Sequence, residues 1–156
     1  MKVIFCHGLE SGPIGRKSVA LKDAGFDLLT PDFRGQVLAE RIDTLHNVLK
    51  DVENPLIVGS SYGGITALIT AMQAVAVGVS IHALVLCAPA LWRGEPPADT
   101  MDGFVAPVPT TIIHGIHDEI VPVDASRSMK DDPHVTLIEV DDDHGLSASI
   151  PLIIET

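Results

Sequence analysis

The chain has 156 residues, 46% of them hydrophobic, and a formal net charge of −11. A chain of this length can bury roughly 70% of its unfolded surface, which allows one globular domain with a real core and excludes the disordered class. Its acidic balance, with a pI near 4.8 and no basic stripe, repels phosphate backbones and anionic bilayers, so nucleic acid and membrane surfaces are excluded as partners.

No apolar run approaches the ~20 residues of a spanning helix. The start, MKVIFCHGLESG, has one Lys and too short an apolar run for a secretory signal, so a cytoplasmic location is expected. Cys6 and Cys87 form no metal-binding cluster. Both fall in predicted buried strands, where free thiols behave as small apolar groups.

Taken in order, residues 2–6 (KVIFC) are β-branched and aromatic and predict a first strand ending at His7-Gly8. Residues 16–24 carry helical apolar spacing and stop at Gly25. Residues 26–30 predict a second strand, closed by Pro31-Asp32-Phe33-Arg34-Gly35. Residues 38–52 are amphipathic, with Leu38, Ile42, Leu45, Val48, Leu49 and Val52 on one face. Residues 56–59 predict a third strand, and 63–77 a helix too apolar to be exposed. Residues 83–87, 110–114 and 135–140 predict three more strands, and the Pro-, Gly- and Asp-rich residues 92–108 a surface excursion. Unbroken apolar strands alternating with helices predict an α/β fold with a mostly parallel sheet of about six strands, covered on both faces. One domain over 1–156 is expected, with no internal repeat.

Within GSSYG, Gly59 and Gly63 flank Ser61 in the G-x-S-x-G spacing. That spacing suits a sharp strand-to-helix turn that projects the serine, and side chains at the flanking positions would collide there. Ligands of parallel α/β sheets bind at the carboxyl ends of the strands. After the first strand comes His7-Gly8-Leu9-Glu10-Ser11-Gly12, and after the third, Ser61. After the fifth comes Gly115-Ile116-His117-Asp118, and after the sixth, Asp141-Asp142-Asp143-His144-Gly145. A nucleophile, an acid and a base are thus predicted on one rim.

On these segments, together with PDFRG at 31–35, HGIHDEIVP at 114–122 and DHG at 143–145, the chain resembles small serine esterases of the α/β-hydrolase superfamily that lack a cap domain. Ser61, Asp118 and His144 follow the superfamily's order of nucleophile, acid and base. The resemblance implies Ser61 as nucleophile, His144 as general base and acid, and Asp118 as the group that orients the imidazole. It also implies an oxyanion hole from the backbone N–H groups of Leu9 and Tyr62. Glu10, Trp92 and Leu146 are candidate pocket residues. In the family's strand order the strand of Ser61 lies between those of the cysteines, which places them roughly 9–10 Å apart, beyond disulfide reach.

The family's two leading strands are missing, the chain ends soon after His144 with a short last helix, and about twenty residues stand where larger members carry a lid. An open, shallow site acting on small or soluble carboxylic esters or thioesters is expected, with no metal and no organic cofactor. Oligomeric state is left open.

Other assignments compete. Ser60 is a rival nucleophile, but the glycines centre on Ser61. His7 and His114 are expected to shape strand ends. His114, His117 and Asp118 lack an H-E-x-x-H-like metal pattern. Residues 141–143 form either a solvated loop or an acidic field acting on His144. Glu10 and Arg16 could touch substrate, though a surface role is expected, and Arg34 is assigned to its turn. A peptidase using the same residues, or a binding protein on a hydrolase scaffold, are the alternative functions.

Overall fold

The computed structural model describes residues 1–91 and 103–156. Six parallel strands form one sheet in the order β2-β1-β3-β4-β5-β6. They are β1 (Lys2–Cys6), β2 (Asp27–Leu29), β3 (Leu56–Ser60), β4 (Ala83–Cys87), β5 (Thr110–Gly115) and β6 (Val135–Val140). The helices are α1 (Arg16–Asp23), α2 (Leu38–Leu49), α3 (Tyr62–Ala76), α4 (Val123–Arg127) and α5 (Ile150–Glu155). A short 3-10 turn, Ser147–Ser149, precedes the last.

Side-chain alternation divides the core between the two faces of the sheet. Ile4, Cys6, Ile57, Leu84, Leu86 and Ile112 point to one face and pack with Leu45 and Leu49 of α2 and with Ala67, Leu68, Ala71 and Ala74 of α3. Val3, Phe5, Val58, Val85, Cys87 and Ile113 point to the other, against Leu21 of α1 and Ile153 of α5. With both faces covered, the inner strands need apolar residues at every position, and they read as continuous apolar runs.

The chain steps from β1 outward to β2 by way of α1, then reverses across β1 to β3 by way of α2. Right-handed crossovers running in opposite directions place their helices on opposite faces of the sheet. That accounts for α1 on one side and α2 with α3 on the other. The reversal also makes the loops after β1 and β3 diverge, and a crevice opens between them.

Several boundaries move by one residue from expectation, and two elements are shortened more. The second helix ends at Leu49 rather than residue 52, and the second strand contracts to Asp27–Leu29 at the sheet edge.

Candidate active site

The turn after β3 is strained. Ser61 has φ 54° and ψ −113°, a left-handed conformation costly for a residue with a side chain. The neighbouring strand end holds it there: the Ser61 N–H donates to Cys87 O at 2.9 Å, and its carbonyl accepts from Gly64 N and Ala90 N at 2.9 Å each. The flanking glycines are steric requirements. A Cβ on Gly59 would lie 2.6 Å from Gly63 O, and one on Gly63 would lie 2.0 Å from Cys6 O and 2.6 Å from His7 O. With these contacts α3 starts directly against the end of β1.

The loops after β5 and β6 are joined to each other. Ile116 N donates to Val140 O at 2.9 Å and His117 N to Asp142 O at 3.1 Å. The backbones approach so closely that a Cβ on Gly115 would meet Asp142 O at 2.3 Å. This seam carries Asp118 on one side and His144 on the other.

His144 Nδ1 lies 2.6 Å from Asp118 Oδ2, and His144 Nε2 lies 2.9 Å from Ser61 Oγ. A carboxylate can only accept, so Nδ1 carries the proton and Nε2 takes the hydrogen bond of the Ser61 hydroxyl. The side chain of Asp118 is wholly buried and that of His144 is 20% exposed, so solvent reaches the imidazole but not the carboxylate. Asp118 Oδ1 accepts from Ile120 N at 2.9 Å and Val121 N at 2.7 Å. The fully buried His114 lies beneath: its Nε2 is 2.8 Å from Val121 O and 3.1 Å from Asp118 Oδ2, and its Nδ1 is 2.6 Å from Ser126 Oγ. Both acceptors at Nε2 require a proton there, so Nδ1 accepts from the Ser126 hydroxyl.

On the opposite side, Leu9 and Tyr62 present backbone N–H groups that have no acceptor among the described residues. Tyr62 opens α3, where the first N–H groups lack intrahelical partners. The Leu9 loop rests on His7. His7 Nε2 accepts from Phe33 N at 2.8 Å, so Nδ1 carries the proton and donates to Gly8 O at 2.8 Å. Burial pushes the pKa of His7 below its ordinary value, which favours this neutral form.

Gly8, Leu9, Glu10, Ser11, Lys17, Ser60, Ser61, Ile120, His144 and Gly145 line a cleft of about 380 Å³. A larger cleft, about 560 Å³ between α1 and β2, is lined by Ile14, Val19, Phe26 and Leu28 among others and has no nucleophile facing a base. Of the two, the smaller cleft is the one that Ser61 and His144 line.

Of the residues expected at the pocket, Glu10 lines the cleft, and so does Leu9 of the expected oxyanion pair. Leu146 does not. It is fully buried in the core face shared with Val3 and Phe5, because a left-handed φ of 53° turns it inward just after the histidine loop. Trp92 lies outside the described residues. His117 pairs with the exposed Asp141 at 2.7 Å, so of these two histidines only His114 reaches Asp118 and the three side chains do not gather into one cluster. The other loop carboxylates are also occupied locally. Asp143 Oδ1 accepts from Gly145 N, and Asp142 accepts from Asp143 N and Ser149 Oγ. Burial pushes the Asp142 pKa up, but these bonds together outweigh it and hold the carboxyl below its ordinary range.

Two cations near the site escaped the sequence reading. Lys17 of α1 donates to Gly145 O at 2.8 Å, bracing the residue after His144, and burial lowers its pKa. Arg41 of α2 is wholly buried and bonds the carbonyls of His7 and Gly8. Its signal was a charged residue inside the stripe formed by Leu38, Ile42 and Leu45.

Comparison with known proteins agrees with this architecture. No curated protein matches the chain in sequence. Among solved structures, a protein from Xanthomonas campestris pv. campestris described as belonging to the alpha/beta hydrolase superfamily superposes with TM-score 0.81 at 27% identity, over 99% of this chain and 94% of that one. Alpha/beta hydrolase domain-containing protein 10 from mouse gives TM-score 0.77 at 22% identity, over 98% and 86%. Est1E from Butyrivibrio proteoclasticus gives 0.76 at 20%, over 99% and 84%. The model of the alpha/beta hydrolase family matches residues 3–143, nearly the whole of the sheet and all but the last residues of the site, and the chain belongs to that family.

Proposed function

We propose that this protein is a serine hydrolase that cleaves small or soluble carboxylic esters or thioesters through an acyl-Ser61 intermediate. The observation that carries the reading is the hydrogen-bonded line from Asp118 through His144 to Ser61. A serine hydroxyl is a weak nucleophile at neutral pH and needs such a base within reach. As Ser61 Oγ attacks the substrate carbonyl carbon, its proton passes to His144 Nε2. The imidazolium so formed is stabilised by Asp118. Negative charge collects on the carbonyl oxygen, which accepts from the N–H groups of Leu9 and Tyr62. Collapse breaks the bond to the leaving alkoxide or thiolate, which takes the proton from His144. Water then repeats the sequence on the acyl-enzyme, releasing the acid and free Ser61.

Two features favour small acyl groups. The cleft holds about 380 Å³, near the low end for ligand sites. Only residues 88–109 separate β4 from β5, where a lid would be inserted.

The test is labelling with a fluorophosphonate, mapped by mass spectrometry, alongside a panel of p-nitrophenyl esters and thioesters. Labelling at Ser61 is expected, and Ser61→Ala is expected to lower kcat by about 10³-fold or more. An unlabelled wild-type protein, or a Ser61→Ala variant of unchanged activity, overturns the reading.

A further inference from the structure

Arg41 is buried and has no carboxylate partner among the described residues. It is 0% exposed, and the arginines that pair with carboxylates are Arg34 and Arg127. Its guanidinium instead spends its donors on backbone carbonyls: Nη1 to His7 O at 2.9 Å, Nη2 to Gly8 O at 3.2 Å and Nε to Gln36 O at 3.4 Å. The plane of the ring of Tyr62 is 4.8 Å away at its centroid, and that of Phe33 is 5.5 Å away. An uncompensated buried charge is expensive, and an aliphatic residue in the same helical stripe would pack without that penalty. Packing alone therefore does not explain Arg41.

The position of the charge does. The Gly8 carbonyl and the Leu9 N–H belong to one peptide group, and in a trans peptide they point in opposite directions. Gly8 O receives both Arg41 Nη2–H and His7 Nδ1–H. Charge-assisted donation to the oxygen polarises the group and makes the N–H at its far end a stronger donor. The same guanidinium lies against the ring of Tyr62, the residue whose N–H is the second donor.

We propose that Arg41 is a positioning residue of the oxyanion hole: from behind the site it fixes and polarises the Gly8–Leu9 peptide and seats Tyr62, so that both N–H groups are aimed at the charge that develops on the substrate oxygen. This rests on the hydrolase reading above. The residue touches no substrate and acts entirely through the two donors.

The test uses the full chain with Arg41→Met and Arg41→Lys, p-nitrophenyl acetate as substrate and an aryl trifluoromethyl ketone as inhibitor. Ser61 Oγ adds to the ketone carbonyl and gives its proton to His144, leaving a hemiketal oxyanion in the hole. Arg41→Met is expected to lower kcat roughly 10- to 100-fold, less than the roughly 10²- to 10³-fold of deleting a donor outright, with KM little changed. Affinity for the ketone is expected to fall by the same factor as kcat, a correlation that a purely structural role would not produce. Arg41→Lys keeps the charge but lacks the planar fork that spans the two carbonyls and lies against the Tyr62 ring, and is expected between wild type and Met. A folded Met variant with wild-type kcat overturns the proposal, as does a loss confined to KM with ketone affinity unmoved. If Met does not fold, a Lys variant with wild-type kcat and ketone affinity overturns it. A wild-type protein that fluorophosphonate does not label removes the hydrolase reading itself, whereas normal labelling with an indifferent Arg41 removes this inference alone.

Discussion

Four donors meet on the carboxylate of Asp118: the backbone of Ile120 and Val121 at one oxygen, the imidazoles of His144 and His114 at the other. The group is thus locked in orientation, and its lock is what sets the tautomer of His144. Asn at this position presents an amide N–H to at least one of these donors and favours the histidine tautomer that points a proton at Ser61. Asp118→Asn is therefore expected to lower kcat by about 10³- to 10⁴-fold. Among the described residues Asp141 bonds only the exposed His117, so Asp141→Asn is expected to cost less than about tenfold, as a modest change in the field at His144. Steady-state kinetics on the two variants checks both, and an active Asp118→Asn protein would remove Asp118 from the mechanism.

The elbow between β3 and α3 works only while α3 can lie directly on β1. Gly63→Ala inserts a methyl 2.0 Å from Cys6 O, and the obstacle is strand backbone, which cannot rotate aside. A loss on the order of 3 kcal/mol is expected, or about 6–12 °C in the unfolding midpoint. At Gly12 the nearest atom to an added Cβ is 3.6 Å away on the Arg34 side chain, and Gly12→Ala is expected to unfold close to wild type. Differential scanning calorimetry of the pair checks this. The elbow was legible in the sequence because its constraint is local: two glycines around a serine after an apolar run. The strands were legible because burial on both faces leaves an apolar residue at every inner position. The helix α4, five residues long, has too few turns to show a period. Arg41 lay inside the apolar stripe of its helix, but the sequence could not show what it bonds, since only the tertiary fold brings the carbonyls of His7 and Gly8 to it. Leu146 was misplaced because proximity to His144 in sequence says nothing about a left-handed backbone that reverses the side chain.

Across the whole molecule the two thiols report on the integrity of the sheet. Cys6 ends β1 and Cys87 ends β4, with β3 between them, and both are free and buried. Burial pushes their pKa values up to about 12 and about 11. The folded values are raised, so folding is favoured fully below the ordinary thiol pKa near 9.0, and that stabilisation is lost as pH rises through the interval up to the folded values. Each thiol is expected to lower stability progressively as pH rises across that interval. Denaturant midpoints between pH 8 and 11 are expected to fall for wild type and to fall less steeply for the Cys6→Ala, Cys87→Ala double variant. At pH 8 a disulfide reagent such as DTNB is expected to find no thiol in the native protein and two after unfolding. Two thiols titrating in the native state would contradict the burial of both strand ends.

From β3 onward the strands stand side by side in the order in which they leave the ribosome: β3, β4, β5, β6. Each newly made strand thus finds the open edge of its predecessor waiting, and the sheet can grow in one direction during synthesis. In chain order the elbow serine comes first, the carboxylate follows after the fifth strand, and the imidazole stands in the loop after the sixth. Because His144 follows β6, the contact between Ser61 and His144 needs every strand from β3 to β6 in place.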